Sequence, residues 1–66
     1  MRPIIKLTDI QLGEIRIVIP KIREIFKAMG DVIIVFDNGD RRSIHTDNPS
    51  ELVEELMDRI DEFYGK

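Results

Sequence analysis

The segment DVIIVFDNGDRRSIHT, residues 31–46, constrains the fold more than any other stretch, because it predicts a β-hairpin. Residues 31–36 carry large apolar side chains on both faces, which is typical of a central strand. Residues 40–46 carry one large apolar side chain, Ile44, among charged and polar ones, which is typical of an edge strand guarded by charge. Turn-forming residues separate the two strands.

The length of the turn decides which face Ile44 occupies, because a shift of one residue exchanges the faces. A two-residue loop would place Ile44 opposite Ile33, whereas a three-residue loop over residues 37–39 would place it opposite Val32. We favour the three-residue loop, with glycine in a bulge, because it collects Ile44 and the apolar residues of the other strand on one face.

Two further strands are predicted in the first third of the chain. Residues 14–19 alternate, so that Ile15, Ile17 and Ile19 share one face, and β-branched residues favour a strand. Residues 3–7 predict a short strand that begins at, or lies on, an edge, because Pro3 lacks an amide donor.

Two helices are predicted from apolar residues at helical spacing. In residues 20–29 these residues recur at i, i+3, i+4 and i+7, with Pro20 suited to the first helical position and Gly30 to the residue after the end. The second helix follows Asn48, a capping residue, and continues as an apolar stripe to Tyr64, with Gly65 ending it.

The element order predicts an α+β domain over residues 1–66, in a two-layer β-β-α-β-β-α arrangement. Its small, mostly antiparallel sheet is expected to carry both helices on one face. A chain of 66 residues buries little surface, and the absence of cysteine excludes disulfides. We therefore expect oligomerisation, as a homodimer, to supply additional burial.

The face of the sheet without helices is the expected contact surface, because apolar side chains rimmed by polar ones suggest a partner. The predicted interface consists of Arg16, Val18, Ile33, Val35, Arg41, Arg42 and His45. The expected partner is a protein or a second copy of the chain. No small-molecule substrate or cofactor is indicated.

The segments KLTDI and GDVIIVFDNGDRRSIHTDNPSELVEEL resemble the closing strands and final helix of bacterial pleckstrin-homology-like domains. The resemblance covers about half of such a fold. The opening strands of that family have no counterpart here, and residues 20–30 predict a helix where the family continues its sheet. No function is carried over from it.

Catalysis and metal binding are not expected. Ser43 and His45 share one strand face, but a hydrolase would also need an orienting acid, an oxyanion hole and a pocket. The possible oxygen and imidazole ligands Asp37, Asp40, His45 and Asp47 do not follow the calcium-loop spacing. Turn, strand-start and cap roles account for the three aspartates.

Charge leaves three alternatives to protein binding. Arg16, Arg41 and Arg42 could hold nucleic acid on an open sheet face, but the net charge is −3 and all four aromatics fall on predicted core or helix stripes. Residues 47–66 hold seven acidic and two basic residues, a balance of −5, which would suit a phage- or plasmid-type inhibitor that mimics nucleic-acid charge. The orderly turns and caps would also suit a designed protein without a function.

Localisation follows from what the sequence lacks. Its longest apolar run has five residues, far below the ~20 that a membrane helix needs, and the N-terminus has no signal-like apolar stretch. The prediction is therefore a non-enzymatic, cytoplasmic, protein-binding domain.

Overall fold

The computed structural model describes residues 3–65, which form five strands, a short 3-10 turn and one α-helix. In chain order the elements are β1 (Ile4–Asp9), β2 (Gly13–Val18), the 3-10 turn (Ile19–Lys21), β3 (Ile22–Ala28), β4 (Asp31–Phe36), β5 (Arg41–His45) and α1 (Pro49–Tyr64). Strands β1 and β2 form one antiparallel sheet, and β3, β4 and β5 form a second in that order.

The first hairpin confirms both N-terminal strands. Ile5 lies opposite Ile17, and Leu7 lies opposite Ile15, so that alternation turns these four side chains towards the core. Ile19 continues the buried face from the 3-10 turn. The strands therefore bury one apolar face, as the period of two predicts, and expose a mostly polar one that also carries Ile4 and Val18.

The predicted helix over residues 20–29 is wrong, because this segment forms the 3-10 turn and β3. A β-bulge shifts the register between Ile22 and Glu24. The extra residue restores Ile22 and Ile25 to the same face, although they are three residues apart, and both pack against the core. The three-residue spacing of Ile22 and Ile25, which resembles that of a helix, thus results from a bulge in a strand.

A two-residue turn, Met29-Gly30, returns the chain from β3 to β4. Both residues have positive φ, 55° and 85°, which matches the right-handed twist of a hairpin. Gly30, which by sequence suits the position after a helix, is therefore part of a hairpin turn. The β-β-α-β-β-α layout with two helices on one face is consequently wrong, whereas the α+β class is confirmed.

The second hairpin of this sheet confirms the three-residue loop. Val32 lies opposite Ile44, and the Phe36 amide donates to the Asp40 carbonyl at 2.8 Å. Gly39 has a φ of +91°, as the bulged turn requires. Strand β4 is central and β5 is at the edge of its sheet, as expected.

Helix α1 begins and ends where the sequence predicts. The Asn48 side chain accepts a hydrogen bond from the Glu51 amide at 3.4 Å, and Pro49 occupies the first turn. Leu56 is fully buried, and the helix packs against β3 and β4. The core lies between this helix and the inner faces of both sheets.

Within residues 3–65, no helix has the length and apolar character that a membrane crossing requires.

Candidate binding groove

The predicted interface residues do not form one continuous sheet face. Arg16 and Val18 point outwards from the two-stranded sheet, whereas Ile33 and Val35 point outwards from the three-stranded one. The four-stranded sheet that would have joined them is absent from residues 3–65, because residues 22–28 pair with β4 and not with β1 or β2.

The outer face of the three-stranded sheet, which is turned away from the core, is only partly accessible. Val35 is 3% exposed and cannot be reached by a partner. Phe26, opposite Ile33, is 37% exposed, and Met29 at the end of the same hairpin is fully exposed. The apolar surface on this face therefore centres on Phe26, with Ile33 half-buried beside it.

Asp9 joins the two sheets at one end of the molecule. Its carboxylate, 1% exposed, accepts hydrogen bonds from the amides of Gln11 and Leu12 in its own hairpin, at 2.7 and 2.9 Å. The other carboxylate oxygen accepts from the His45 amide at 2.8 Å and lies 2.9 Å from His45 Nδ1. One side chain thus fixes the β1–β2 turn and the end of β5.

The environment of Asp9 favours its charged form. Burial alone would raise the pKa of Asp9, but amide donors from His45, Leu12 and Gln11, with the His45 ring, outweigh burial and hold the pKa well below its usual range. Because an ionised carboxylate can only accept, the His45 ring donates through Nδ1–H. Its Nε2 lies 3.9 Å from the Asp31 carboxylate.

The end of β5 is also closed by the main chain, because the Ile10 amide donates to the His45 carbonyl at 3.0 Å. Both backbone groups of His45 therefore point away from β4, towards the first sheet. Backbone groups alternate in direction along an antiparallel strand. The amide and carbonyl groups of Ser43 and Arg41 consequently point to the same open edge.

In the first sheet, the edge of β2 that does not pair with β1 also presents backbone groups. The Ile19 amide donates to the Pro3 carbonyl, and alternation from this bond directs the backbone groups of Ile17 and Ile15 towards β1. The groups of Arg16 and Val18 therefore point away from β1. Among residues 3–65, β2 and β5 therefore each have one edge without a neighbouring strand, and residues of both strands line one groove.

The groove between β2 and the β4–β5 turn has a volume of about 470 Å³, within the range of roughly 300–1,000 Å³ for ligand sites. Ile17, Val18 and Phe36 provide its apolar lining. Arg42 and Asp40 line the β5 side. The backbone groups of Arg16 and Val18, which have no backbone partner among residues 3–65, lie beside this apolar lining.

Charged side chains rim the groove, and some already have partners. Arg16 pairs with Glu14 at 2.9 Å, and Asp40 accepts a hydrogen bond from the Asn38 amide group at 3.0 Å. Lys21 and Arg42 also line the groove, and neither forms an ion pair with a residue in the described range 3–65. These two cations are available to a ligand.

Several predicted site residues thus meet in a way that the sequence did not indicate. Arg16, Val18 and Arg42 line one groove, but they do so from facing edges of two sheets. Arg41 and His45 do not line the groove; their backbone groups point to the edge of β5 away from β4, where those of His45 are bonded to Asp9 and Ile10. Ile33 and Val35 are on another surface.

The groove also contains residues that sequence reasoning assigned elsewhere. Lys21 and Phe36 were placed in a helix and in the core, and no local pattern assigns them to a shared site. Sequence reasoning gave Asp9 no site role, although an aspartate shortly before the turn residue Gly13 is typical of side chains that bond to the backbone of a turn.

Asp9 supplies the acid that the Ser43–His45 pair lacked in the sequence. A carboxylate at Nδ1 is how a catalytic histidine is oriented. The groove is lined by neither Ser43 nor His45, so the pair has no evident place for a substrate there. Among residues 3–65, no three His, Asp or Glu side chains are grouped as metal ligands.

Comparison of the chain with models of known families, with characterised proteins and with solved structures gives no match. Residues 22–28 form a strand, which removes one departure from the pattern of pleckstrin-homology-like domains, but the resemblance gains no support from any solved structure. The function of the chain is therefore inferred from the geometry of the groove.

Proposed function

We propose that this chain is a protein-binding domain that accepts an extended segment of a partner in the groove between β2 and β5. The observation that carries the proposal is the edge of β5 next to this groove. The backbone groups of Arg41 and Ser43, on either side of the groove-lining Arg42, have no backbone partner among residues 3–65. An extended segment satisfies such groups by adding a strand, while pockets for alternate side chains give specificity.

At one position, the backbone groups on this edge of β5 already have hydrogen-bond partners within the protein. At His45, the Asp9 carboxylate accepts from the amide, and the Ile10 amide donates to the carbonyl. Two residues earlier on β5, Ser43 presents the same pair of groups, and neither has a partner of this kind among residues 3–65. A bound segment would continue the pairing that the chain itself begins.

A second copy of the chain does not fit this edge well. Antiparallel pairing of β5 with itself about Arg41 or Arg42 would bring that residue opposite its own copy, and like charges directly opposite are destabilising. Pairing about Ser43 would place Arg41 opposite His45, whose amide and carbonyl are already bonded to Asp9 and Ile10. We therefore assign self-association, the homodimer predicted from the sequence, to the outer face around Phe26. Its exposed ring and the half-buried Ile33 supply apolar area there.

Single-stranded nucleic acid is the second candidate for the groove, because Arg16, Lys21 and Arg42 converge around Phe36. Cations with an aromatic ring are the usual elements of such sites. It ranks second because a net charge of −3 opposes phosphate binding, and Asp37 and Asp40 lie on the same rim.

The proposal is tested by selecting peptides from a random display library and mapping their contacts on the isotope-labelled protein by NMR. We expect shifts at residues 14–18 and 40–43. The variant Ser43→Pro removes an amide that points away from β4, so the β4–β5 pairing is retained. It should weaken peptide binding by about tenfold, because one hydrogen bond to the peptide is lost and the proline ring obstructs the edge. Ser43→Ala keeps the amide and should bind the peptide as the wild type does.

Selected peptides that shift only the outer face, or that bind Ser43→Pro and Ser43→Ala equally, would contradict strand addition. Binding of a dT12 oligonucleotide with strong salt dependence, in the absence of peptide binding, would favour the second candidate.

A further inference from the structure

We infer that Asn38 is a site of spontaneous deamidation, that the folded β4–β5 turn slows the reaction, and that the product cannot rebuild this turn. Asparagine is a thermolabile residue. The chain has two asparagines, Asn38 and Asn48, and only Asn38 precedes a glycine. Glycine has no Cβ to obstruct its backbone nitrogen, which is the atom that attacks the asparagine side chain.

The reaction needs no reagent other than water. The Gly39 nitrogen loses its proton and forms a bond to Asn38 Cγ. The bond from Cγ to Nδ2 breaks, and Nδ2 leaves with that electron pair and a proton as ammonia, so that a cyclic imide remains. Water then opens the ring at Cγ, which gives aspartate, or at the backbone carbonyl, which gives isoaspartate with its main chain through Cβ.

In the folded turn, the atoms that must react are held by other hydrogen bonds. The Gly39 amide donates to the Phe36 carbonyl at 2.9 Å, which retains its proton. Asn38 Oδ1 accepts from the Asp40 amide at 2.9 Å, and Nδ2 donates to the Asp40 carboxylate at 3.0 Å. The carboxamide is therefore directed to the residue after Gly39, and these bonds must open before the ring can close.

Opening of this turn does not require the whole protein to unfold. Residues 37–40 are all exposed, and exposed turns open at a lower free energy than the core. The rate in the folded protein is the rate in the open turn multiplied by the fraction of time that the turn is open. The three hydrogen bonds should slow the reaction at least about tenfold, because each contributes a few-fold.

Neither product can restore the original contacts. An ionised aspartate at position 38 only accepts hydrogen bonds, so it cannot donate to the Asp40 carboxylate and is repelled by it. Isoaspartate adds one main-chain carbon to the loop whose length sets Val32 opposite Ile44. Because Asn38 and Asp40 both line the groove, the reaction also adds a negative charge there.

The test incubates the full chain at mildly alkaline pH, in buffer and in urea that unfolds it. Proteolysis and mass spectrometry then locate the acid products. We expect conversion at Asn38 to be at least about tenfold faster in urea than in buffer. Asn48 is the internal control, because the nitrogen of Pro49 carries no proton and cannot form the neutral cyclic imide.

Two variants test the hydrogen bonds of the turn. Asp40→Ala removes the acceptor of Nδ2 and should speed conversion at Asn38 a few-fold in buffer, with no change in urea. Asp37→Ala is the matched control for this rate, because the exposed Asp37 side chain forms no hydrogen bond with Asn38 in the described range 3–65. The ratio of the wild-type rates in urea and buffer gives the same information if a variant does not fold.

The effect on the turn is measured on the separated products. Ion exchange isolates them, because each carries one more negative charge than the unmodified chain. The isoaspartate form should unfold at a lower urea concentration than both the unmodified protein and Asn38→Asp, because only its main chain is lengthened. Equal midpoints for the three would contradict the effect on the register.

The remaining outcomes are equally distinct. Equal rates at Asn38 in buffer and in urea would overturn protection by the folded turn. Conversion of Asn48 as fast as that of Asn38, or no conversion of Asn38 in urea, would overturn the site itself. These results do not depend on strand addition to β5, because no peptide is present.

Discussion

The Asp9 carboxylate lies 2.8 Å from the amide nitrogen of His45, 36 residues further along the chain, and this bond joins the two sheets. The same carboxylate holds its own turn through Gln11 and Leu12. Because the groove is lined by residues of the two sheets that Asp9 joins, the geometry of the proposed site depends on a side chain that lies outside it.

Replacement of Asp9 should therefore destabilise the fold and loosen the groove. Asp9→Ala leaves several amide donors without their acceptor, which is costlier than losing the bonds alone. We expect a fall in Tm several times larger than that of Asp31→Ala, which removes only a partly exposed carboxylate 3.9 Å from the His45 ring. Equal effects in thermal unfolding by circular dichroism would show that Asp9 is not the anchor.

Ionisation of Asp9 should make the free energy of unfolding depend on pH. Its pKa in the folded protein is held below the ordinary value of 3.8, so its contribution is fully present above about pH 4 and is lost as the pH falls through the folded-state pKa. The stability difference between wild type and Asp9→Asn, measured by urea unfolding, should shrink from pH 6 to pH 2. A difference that is constant over this range would contradict the assignment.

The Met29-Gly30 turn gives a test of β3. Met29 is fully exposed and has a φ of 55°, so asparagine, which tolerates this conformation, should raise the free energy of unfolding by about 1 kcal/mol without loss of packing. Met29→Ala keeps a Cβ in this left-handed conformation and should leave the free energy of unfolding nearly unchanged. If Met29→Asn and Met29→Ala are equally stable by chemical denaturation, residues 29–30 do not form this turn.

Self-association through the outer face should depend on Phe26. Light scattering over a dilution series should show a dimer that dissociates at low concentration, and Phe26→Lys should be monomeric throughout because it places charge in the contact. Met57→Lys, at an exposed apolar position on α1, serves as the control. A wild-type protein that is monomeric at every concentration would contradict the homodimer.

Most of the fold follows from local sequence patterns, because the elements with an uninterrupted period form as predicted. The alternation of β2, the register of Val32 with Ile44 and the cap at Asn48 are examples. Strand β3 was mistaken for a helix because its bulge gives Ile22 and Ile25 a spacing of three residues. A proline before it and a glycine after it fit both interpretations.

The candidate site was less predictable, because it depends on how the two sheets meet. Arg16, Val18 and Arg42 were expected to act together, but on a sheet face that does not form. Lys21 and Phe36 enter the groove through tertiary packing alone. The role of Asp9 requires a partner 36 residues away, which no local pattern specifies.

The central claim is that a partner segment pairs with the free edge of β5, and amide hydrogen exchange measures this pairing directly. With a saturating selected peptide, exchange at Ser43 and Arg41 should slow strongly, because their amides gain partners. Exchange at Arg42, whose amide already faces β4, should change little. Protection of Arg42 alone, or unchanged exchange at Ser43 and Arg41 with the peptide bound, would contradict strand addition.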